Sequence, residues 1–176
     1  MKADQQRSDQ VVIRQADYHD PHVVALTETV QRFYADLYGG PDDSPMTNEE
    51  FAPPGGAFFV GYLGDRAVAM GGWRFTSVEV PGARRPVEIK RMFVSDDLRR
   101  LGLARRMLEV IESSAAAAGA DAVILETGRP QTAAVALYRA SGYTDIPGFG
   151  YYAAWPQSVS LGKRLPPGPP SRSFTP

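Results

Sequence analysis

The sequence predicts an α/β (α+β) fold, in which helices flank a mixed central sheet. Residues 57–75 contain two apolar runs around Gly64-Asp65-Arg66, a pattern typical of an antiparallel hairpin. Residues 87–127 contain a strand-like run, a glycine turn, a helical pattern and a buried run, which together predict a parallel βαβ unit. We therefore expect antiparallel strands in the N-terminal part of the sheet and a parallel pair within 87–127.

Composition is typical of a single domain of mixed charge. The 176 residues can form one domain with a substantial core, but not two. Nineteen basic and twenty acidic residues give no long-range field that would attract nucleic acid or an anionic membrane. Because the chain has no cysteine, disulfides, thiolate metal sites and a thiol nucleophile are excluded. Residues 1–10 lack the apolar core of a signal peptide, so we expect a cytoplasmic protein.

The first predicted helix and the loop after it occupy the N-terminal third. Asp20 can cap a helix that begins at Pro21 and ends at Gly39-Gly40-Pro41. Residues 41–56 are rich in proline, glycine and carboxylates, which predicts a loop with one helical turn at 47–51. The apolar face of the helix comprises Val23, Leu26, Val30, Phe33 and Leu37.

Three strands and a helix follow this loop. Strands at 57–63, 67–75 and 87–94 are joined by short turns and most simply form an antiparallel meander. A helix at 103–118 then leads to a strand at 122–127, which a right-handed crossover would place parallel to 87–94. One face of the helix carries Leu103, Met107, Val110, Ile111 and Ser114.

The C-terminal part is expected to add a small-residue helix and two strands. The helix covers 133–140, and the strands cover 149–155 and 158–161. The proline-rich segment 164–176 is predicted to be disordered.

The domain limits follow from both ends of the chain. Residues 1–10 are polar and predicted to be a disordered tail, and 11–14 form a short strand candidate. We therefore expect a single domain at 11–163 between two tails.

The turn before the helix at 103–118 is rich in arginine. A helix N-terminus has unpaired N–H groups and a partial positive charge, so arginines are unfavourable there unless an anion binds among them. One interpretation is a phosphate site whose donors are the N–H groups around Gly102. The other is a solvated basic surface that Asp96 and Asp97 neutralise. The arginines concerned are Arg99, Arg100, Arg105 and Arg106.

Two short motifs lie on these elements in a defined order. The turn reads Arg99-x-x-Gly102-x-Ala104, and the next helix contains Ala136-Leu137-Tyr138-Arg139-Ala140-Ser141-Gly142-Tyr143. With the strand, helix and strand around them, these motifs resemble the GNAT acyltransferase superfamily. The resemblance covers residues 11–163, and it implies the GNAT fold and an acetyl-CoA-dependent N-acetyltransferase.

The resemblance implies a binding site for acetyl-CoA and no metal. In such proteins the turn holds the pyrophosphate, and the backbone of the preceding strand binds the pantetheine arm through strand-like hydrogen bonds. Gln131 stands where many relatives have asparagine, and Ala104 stands where many have a second glycine. The implied cofactor-binding residues are Met92, Phe93, Val94, Arg99, Arg100, Leu101, Gly102, Leu103, Ala104 and Gln131.

The implied reaction is attack by an amine on the acyl thioester. A primary ammonium has a pKa of about 10, so it must first lose a proton. Glu88 is the candidate base, acting directly or through water, because the superfamily often has a carboxylate at this strand position. Strand alternation would put its side chain on the same face as Lys90, Met92 and Val94. The alternative role of Glu88 is an ion pair with Lys90 or Arg91.

Tyr138 matches the tyrosine that protonates the leaving thiolate in the superfamily. The alternative is that it only packs on the sheet. A strand N–H group, of Met92 or Phe93, would stabilise the developing oxyanion. Since the chain has no cysteine, direct transfer in a ternary complex is expected rather than a cysteinyl acyl-enzyme.

Three functions are compatible with these residues. The first is acetylation of a small-molecule amine, the second is acetylation of a protein N-terminus or lysine, and the third is a non-catalytic acyl-CoA-binding sensor. A homodimer is one state that the sequence leaves open. The acidic loop and several aromatic residues would suit a compact cationic acceptor. These are Asp42, Asp43, Glu49, Glu50, Phe33, Tyr34, Tyr38, Trp73, Phe149 and Tyr151.

Overall fold

The computed structural model describes residues 2–166, with side chains from residue 6 onward. Within this range the chain forms four helices and seven strands. They are α1 (Lys2–Asp9), β1 (Val12–Ala16), α2 (Pro21–Tyr38), β2 (Gly56–Leu63), β3 (Arg66–Phe75), β4 (Pro86–Val94), α3 (Leu103–Ala117), β5 (Ala122–Gly128), α4 (Thr132–Ala140), β6 (Thr144–Asp145) and β7 (Ser158–Arg164), with short 3₁₀ turns at Glu49–Phe51 and Asp96–Leu98.

The strands form one mixed sheet in the order β1-β2-β3-β4-β5-β7-β6. All neighbours are antiparallel except β4 and β5, which are parallel. The predicted meander and the predicted βαβ unit are therefore both present, and the fold class is confirmed. No helix among residues 2–166 is long and apolar enough to cross a membrane.

Helices cover both faces of the sheet. The apolar stripe of α3 packs on one face, where Leu103, Met107 and Ile111 are almost fully buried. The stripe of α2 packs on the other face, where Val23 and Val30 are buried among residues of β2 and β3. Each fully buried aliphatic side chain contributes about 2 kcal/mol relative to exposure, so these two stripes hold the helices to the sheet.

A bulge in β4 corrects the predicted alternation of that strand. In the pairing of β3 with β4, Met70 lies opposite Phe93 and Gly72 lies opposite Lys90. Met70 and Gly72 are two residues apart, whereas Lys90 and Phe93 are three residues apart. The additional residue is Arg91, whose φ is +60°. Side chains beyond the bulge therefore lie on the opposite face from the one predicted, because one added residue shifts the alternation of side chains between the two faces.

The bulge separates residues that the sequence placed together. Met92 and Val94 pack in the α3-side cluster with Ile89, whereas Phe93 packs in the α2-side cluster. The prediction that Met92 and Val94 share a face with Glu88 is therefore wrong. Arg91 instead points to the α2 side, where it pairs with Asp42 at 3.3 Å.

Other differences lie near the ends of the chain. Residues 2–9 form α1, whereas the sequence predicted a disordered tail. The predicted strand at 149–155 is wrong, since this segment forms turns between β6 and β7. Of the tail predicted at 164–176, residues 167–176 lie outside the described residues, while Arg164 ends β7 and Leu165 is buried.

Candidate active site

A cleft opens between β4 and β5 because their pairing is short. They pair only from Pro86 to Glu88 and from Ala122 to Ile124. Beyond this point β4 continues beside β3, and β5 continues beside β7. The edge of β4 that faces β5 is therefore open, and the predicted pantetheine-binding residues Met92–Val94 lie along it.

The turn after β4 presents N–H groups to one side. Arg100 and Gly102 both have left-handed backbone conformations, with φ of +63° and +80°. Gly102 precedes the first residue of α3, and no side chain caps this helix N-terminus. The N–H groups of Gly102, Leu103 and Ala104 have no hydrogen-bond acceptor within residues 2–166. Such a run of free N–H groups forms an anion-binding concavity.

The four arginines of this turn divide into two pairs. Arg99 bonds to Asp96 at 2.9 Å and to the carbonyl of Val94 at 3.2 Å, and Arg106 bonds to two N-terminal carbonyls. Arg100 and Arg105 have no hydrogen bond or ion pair with any described residue. Two guanidinium groups and the free N–H groups therefore fit a bound pyrophosphate.

The two aspartates near the turn do not neutralise it fully. Asp96 pairs with Arg99, whereas Asp97 pairs with Arg66 at 2.7 Å and with Arg7 at 3.1 Å. The geometry thus favours the phosphate site over the solvated basic surface.

A cavity of about 610 Å³ lies between the C-terminal end of α2, the following loop, the end of β5 and the loop before β7. Aromatic rings form much of its wall, and carboxylates, a lysine and an amide add polar groups. The residues concerned are Tyr34, Tyr38, Tyr151, Tyr152, Trp155, Asp42, Asp43, Glu126, Lys90 and Gln131. A second cavity of about 640 Å³ lies at the opposite end of β4, between residues 76–86 and 146–149, away from the cleft.

Glu126, which the sequence interpretation missed, is the carboxylate best placed for proton transfer in this cavity. Burial raises its pKa to about 7, the negative charges of Glu88 and Asp42 add to the effect, and Lys90 opposes it. Glu126 forms no ion pair with any residue from 6 to 166. The only signal in the sequence was a carboxylate within the buried run at 122–127.

Asp42 stays ionised beside Glu126. Burial alone would raise the pKa of Asp42. Hydrogen bonds from Ser44 and the charge of Arg91 nevertheless hold this pKa below its ordinary value. Asp42 also accepts a hydrogen bond from the Tyr152 hydroxyl at 3.2 Å, which links the loop after α2 to the loop before β7. The cavity thus contains two carboxylates whose pKa values lie apart, an arrangement that suits separate binding and proton-accepting roles.

Glu88 lies behind the cavity in an ion-pair network. Its carboxylate accepts two hydrogen bonds from Arg74, at 2.9 and 3.1 Å, and Lys90 lies 3.6 Å away. Arg74 also bonds to Glu50 at 2.8 Å. The ion-pair interpretation predicted Lys90 or Arg91 as the partner. The pair with Lys90 is present, but the closer partner is Arg74, directly opposite on β3, which the sequence did not indicate. The catalytic role of Glu88 remains an untested prediction.

Glu88→Gln is expected to lower stability more than rate. Since the Glu88 side chain is only 9% exposed, its loss leaves Arg74 and Lys90 short of a buried counter-charge and should cost about 3 kcal/mol. Urea unfolding measures this, with Glu109→Gln on the exposed face of α3 as the control. A pH–rate profile that loses its ascending limb in Glu88→Gln would instead restore Glu88 as the base.

Tyr138 projects from α4 into the α3-side core. Its ring packs edge-to-face on Tyr143 at 5.6 Å, and no hydrogen bond from its hydroxyl is found among the described residues. Burial, and secondarily the neighbouring Tyr34, raise the pKa of Tyr138 above the ordinary range of tyrosine. The hydroxyl is therefore protonated at every working pH, as a proton donor must be.

Gln131 and Gly128 shape the cavity through Tyr38. The Gln131 amide donates to the Tyr38 hydroxyl at 2.8 Å, so its predicted contact with pantetheine would compete with this bond. A Cβ at Gly128 would overlap the Tyr38 hydroxyl. The end of β5 thus needs glycine because the ring of Tyr38 occupies the space of a side chain.

Gly128→Ala is expected to raise the KM for the acceptor about tenfold, since displaced Tyr38 narrows the cavity and loses its bond to Gln131. Gly40→Ala is the matched control, because Gly40 also lines the cavity but a Cβ there meets nothing within 4 Å. Steady-state kinetics with varied acceptor distinguish the two. An unchanged KM in Gly128→Ala would show that the ring does not contact the acceptor.

Comparison with known proteins decides the family. Residues 23–143 match the model of the acetyltransferase (GNAT) family, a span that includes the turn, the cleft and α4. The chain belongs to the GNAT family. This confirms the family predicted from the turn and helix motifs, and it makes the protein an acyl-CoA-dependent N-acetyltransferase.

Two curated relatives resemble this GNAT chain over much of its length. An IAA acetyltransferase from Azospirillum brasilense is 36% identical over 143 residues, which cover 81% of this chain and 90% of the relative. N-acetyltransferase 8 from Homo sapiens is 29% identical over 129 residues, 73% of this chain, and the match spans only 56% of the human protein.

Solved structures share the GNAT fold. A GNAT-family acetyltransferase from Staphylococcus aureus Mu50 superposes with a TM-score of 0.69 and 17% identity, covering 88% of this chain and 100% of the other. An aminoglycoside 6'-N-acetyltransferase complexed with coenzyme A superposes with a TM-score of 0.64 and 16% identity, covering 90% and 99%. At these identities the likeness concerns the fold alone.

Proposed function

We propose that this GNAT enzyme transfers the acetyl group of acetyl-CoA to a primary amine of a small molecule within a ternary complex. One observation carries the proposal: the aromatic cavity contains Glu126, a carboxylate without an ion pair, beside the open edge of β4. The role of base, predicted for Glu88, passes in this proposal to Glu126, because Arg74 engages Glu88.

The chain's own residues move the protons of the reaction. Bound acetyl-CoA supplies the acetyl group as a thioester. Glu126 accepts one proton from the acceptor ammonium, and the free amine nitrogen attacks the carbonyl carbon. As the C–N bond forms and the C–S bond breaks, Tyr138 donates its hydroxyl proton to the sulfur. Tyr138 regains a proton from the acylated nitrogen, and Glu126 releases its proton to solvent.

The cavity favours an acceptor that combines a cation with an apolar part. Tyr151 and Trp155 are 63% and 49% exposed, an unusual exposure for large aromatic rings that a ligand would cover. Aromatic faces attract cations, and Asp43, which lines the cavity and forms no ion pair with any residue from 6 to 166, adds a negative charge. A compact alkyl or arylalkyl amine satisfies both features.

A thiol-release assay with acetyl-CoA tests the proposal. The acceptors are alkyl and arylalkyl amines, a polyamine, an aminoglycoside and peptides with a free N-terminus or a lysine. IAA belongs in this panel because the Azospirillum relative is named an IAA acetyltransferase. We expect the highest kcat/KM with an arylalkyl amine. Turnover confined to peptides would contradict a small-molecule acceptor and favour protein acetylation.

A further inference from the structure

The N-terminal segment contacts the proposed pyrophosphate turn directly, although it precedes the span that matches the family model. Ser8, at the end of α1, is completely buried. Its hydroxyl donates to the carbonyl of Leu101 at 3.0 Å. A buried polar side chain from outside the matched span therefore holds one carbonyl of the turn.

Two arginines make three further contacts that fix this segment on either side of Leu101. Arg106, in the first turn of α3, donates to the carbonyls of Ser8 at 2.7 Å and of Val11 at 2.9 Å. Arg7 pairs with Asp97, in the 3₁₀ turn that precedes the arginines, at 3.1 Å. Ser8 thus sits between two anchors and has a defined position relative to the turn.

The bond to Leu101 acts on the neighbouring N–H group through the peptide plane. The carbonyl of Leu101 and the N–H of Gly102 belong to one planar unit and point in opposite directions. Holding the carbonyl on the Ser8 side directs the Gly102 N–H to the other side. The Leu101 side chain packs on the α3-side core, but Gly102 has no side chain, and even a Cβ there would meet nothing within 4 Å. Packing on the Gly102 side therefore does not fix the direction of its N–H group.

We propose that Ser8 is a positioning residue, which orients the Leu101–Gly102 peptide so that the Gly102 N–H can donate to the pyrophosphate of acetyl-CoA. This inference rests on the assignment of the turn as the pyrophosphate site. It gives the N-terminal helix a role in cofactor affinity rather than in acyl transfer.

Calorimetric titration of coenzyme A provides the first test. Ser8→Ala removes the donor without adding bulk, and we expect the Kd for coenzyme A to rise about five- to tenfold. The control is Ser113→Ala on the exposed face of α3, which should leave the Kd unchanged. Ser8→Thr retains a hydroxyl and should bind coenzyme A more tightly than Ser8→Ala.

A second acyl donor distinguishes a specific loss of pyrophosphate binding in Ser8→Ala from a general loss of activity. S-acetylpantetheine lacks the pyrophosphate, so Ser8→Ala should react with it as the unchanged protein does, whereas its KM for acetyl-CoA rises at constant kcat. Equal losses with both donors, or an unchanged Kd for coenzyme A, would overturn the proposal. If the unchanged protein used both donors equally well, this result would contradict the assignment of the turn as the pyrophosphate site, independently of Ser8.

The amide signal of Gly102 reports the orientation without turnover. In ¹⁵N-labelled protein we expect coenzyme A to shift this signal strongly in the unchanged protein and in Ser113→Ala, but weakly in Ser8→Ala. An equal shift in all three proteins would show that Ser8 does not direct the Gly102 N–H.

Discussion

Glu126→Gln is expected to lower kcat/KM for the acceptor by about 10²- to 10⁴-fold, the usual contribution of a positioned general base. Glutamine keeps the size and polarity of the side chain but cannot accept the ammonium proton at neutral pH. Because Glu126 has no ion pair with the described residues, the substitution removes no buried counter-charge. Steady-state rates over a range of concentrations of one acceptor measure the loss. The control is Glu109→Gln, which replaces an exposed glutamate on α3.

The pH dependence identifies the group responsible. The pKa of Glu126 is raised to about 7, mainly by burial, so the unchanged enzyme should gain kcat/KM as pH rises through about 7. Glu126→Gln should lack this ascending limb. A variant that loses rate uniformly but keeps the limb would assign the titration to another group.

Stability should change in the opposite direction to activity. The folded protein binds the Glu126 proton more tightly than the unfolded chain, whose pKa is near 4.5, so the contribution to stability is complete below that value. The contribution is lost as pH rises through about 7, where the carboxylate charges in a partly buried site. Glu126→Gln should therefore raise Tm at pH 8 and change it little at pH 4. A lower Tm at pH 8 would indicate structural damage instead.

Tyr138→Phe is expected to lower kcat about 100-fold and to leave the affinity for coenzyme A unchanged. The hydroxyl is needed only when sulfur leaves, so its removal should affect the transition state and not the bound ground state. Single-turnover rates and calorimetric titration of coenzyme A separate these effects. An unchanged kcat would remove Tyr138 from the mechanism.

Tyr143 provides a matched control on the same ring pair. Its hydroxyl donates to Glu112 at 2.7 Å, whereas that of Tyr138 bonds to no described residue. Tyr143→Phe should therefore lower the free energy of unfolding by about 1 kcal/mol with little change in kcat. Tyr138→Phe should show the reverse pattern.

The sequence predicted the parts of the site that depend on local pattern. The helix at 103–118 and the strands around it follow from the periodicity of apolar residues, and the sequence also placed a glycine turn directly before this helix. Arg74 was missed as the partner of Glu88 because that contact depends on the register of β3 against β4. Glu126 was missed because nothing in a mostly apolar strand shows where the sheet opens.

The bulge and the N-terminal helix could not be predicted from sequence for a related reason. Arg91 adds a residue to β4 without proline, glycine or any other local marker, so alternation was extended through it. The helix α1 is polar along its length, and its contacts with the turn and with α3, through Arg7, Ser8 and Arg106, distinguish it from a tail. Both features arise from contacts between segments distant in the chain.

In the proposed reaction, the bulge at Arg91 has a consequence for product release. It puts Lys90 and Arg91 next to each other in the network of ion pairs that also contains Arg74, Glu50, Glu88 and Asp42. With Glu126 ionised beside this network, four carboxylates face three cations, so negative charge exceeds positive charge by one. A protonated amine neutralises this excess on entry. Its acetylated product is an uncharged amide and cannot do so. The electrostatic attraction that favours binding of the acceptor is therefore absent for the product. Acetylation thus weakens binding to the cavity and favours release of the product.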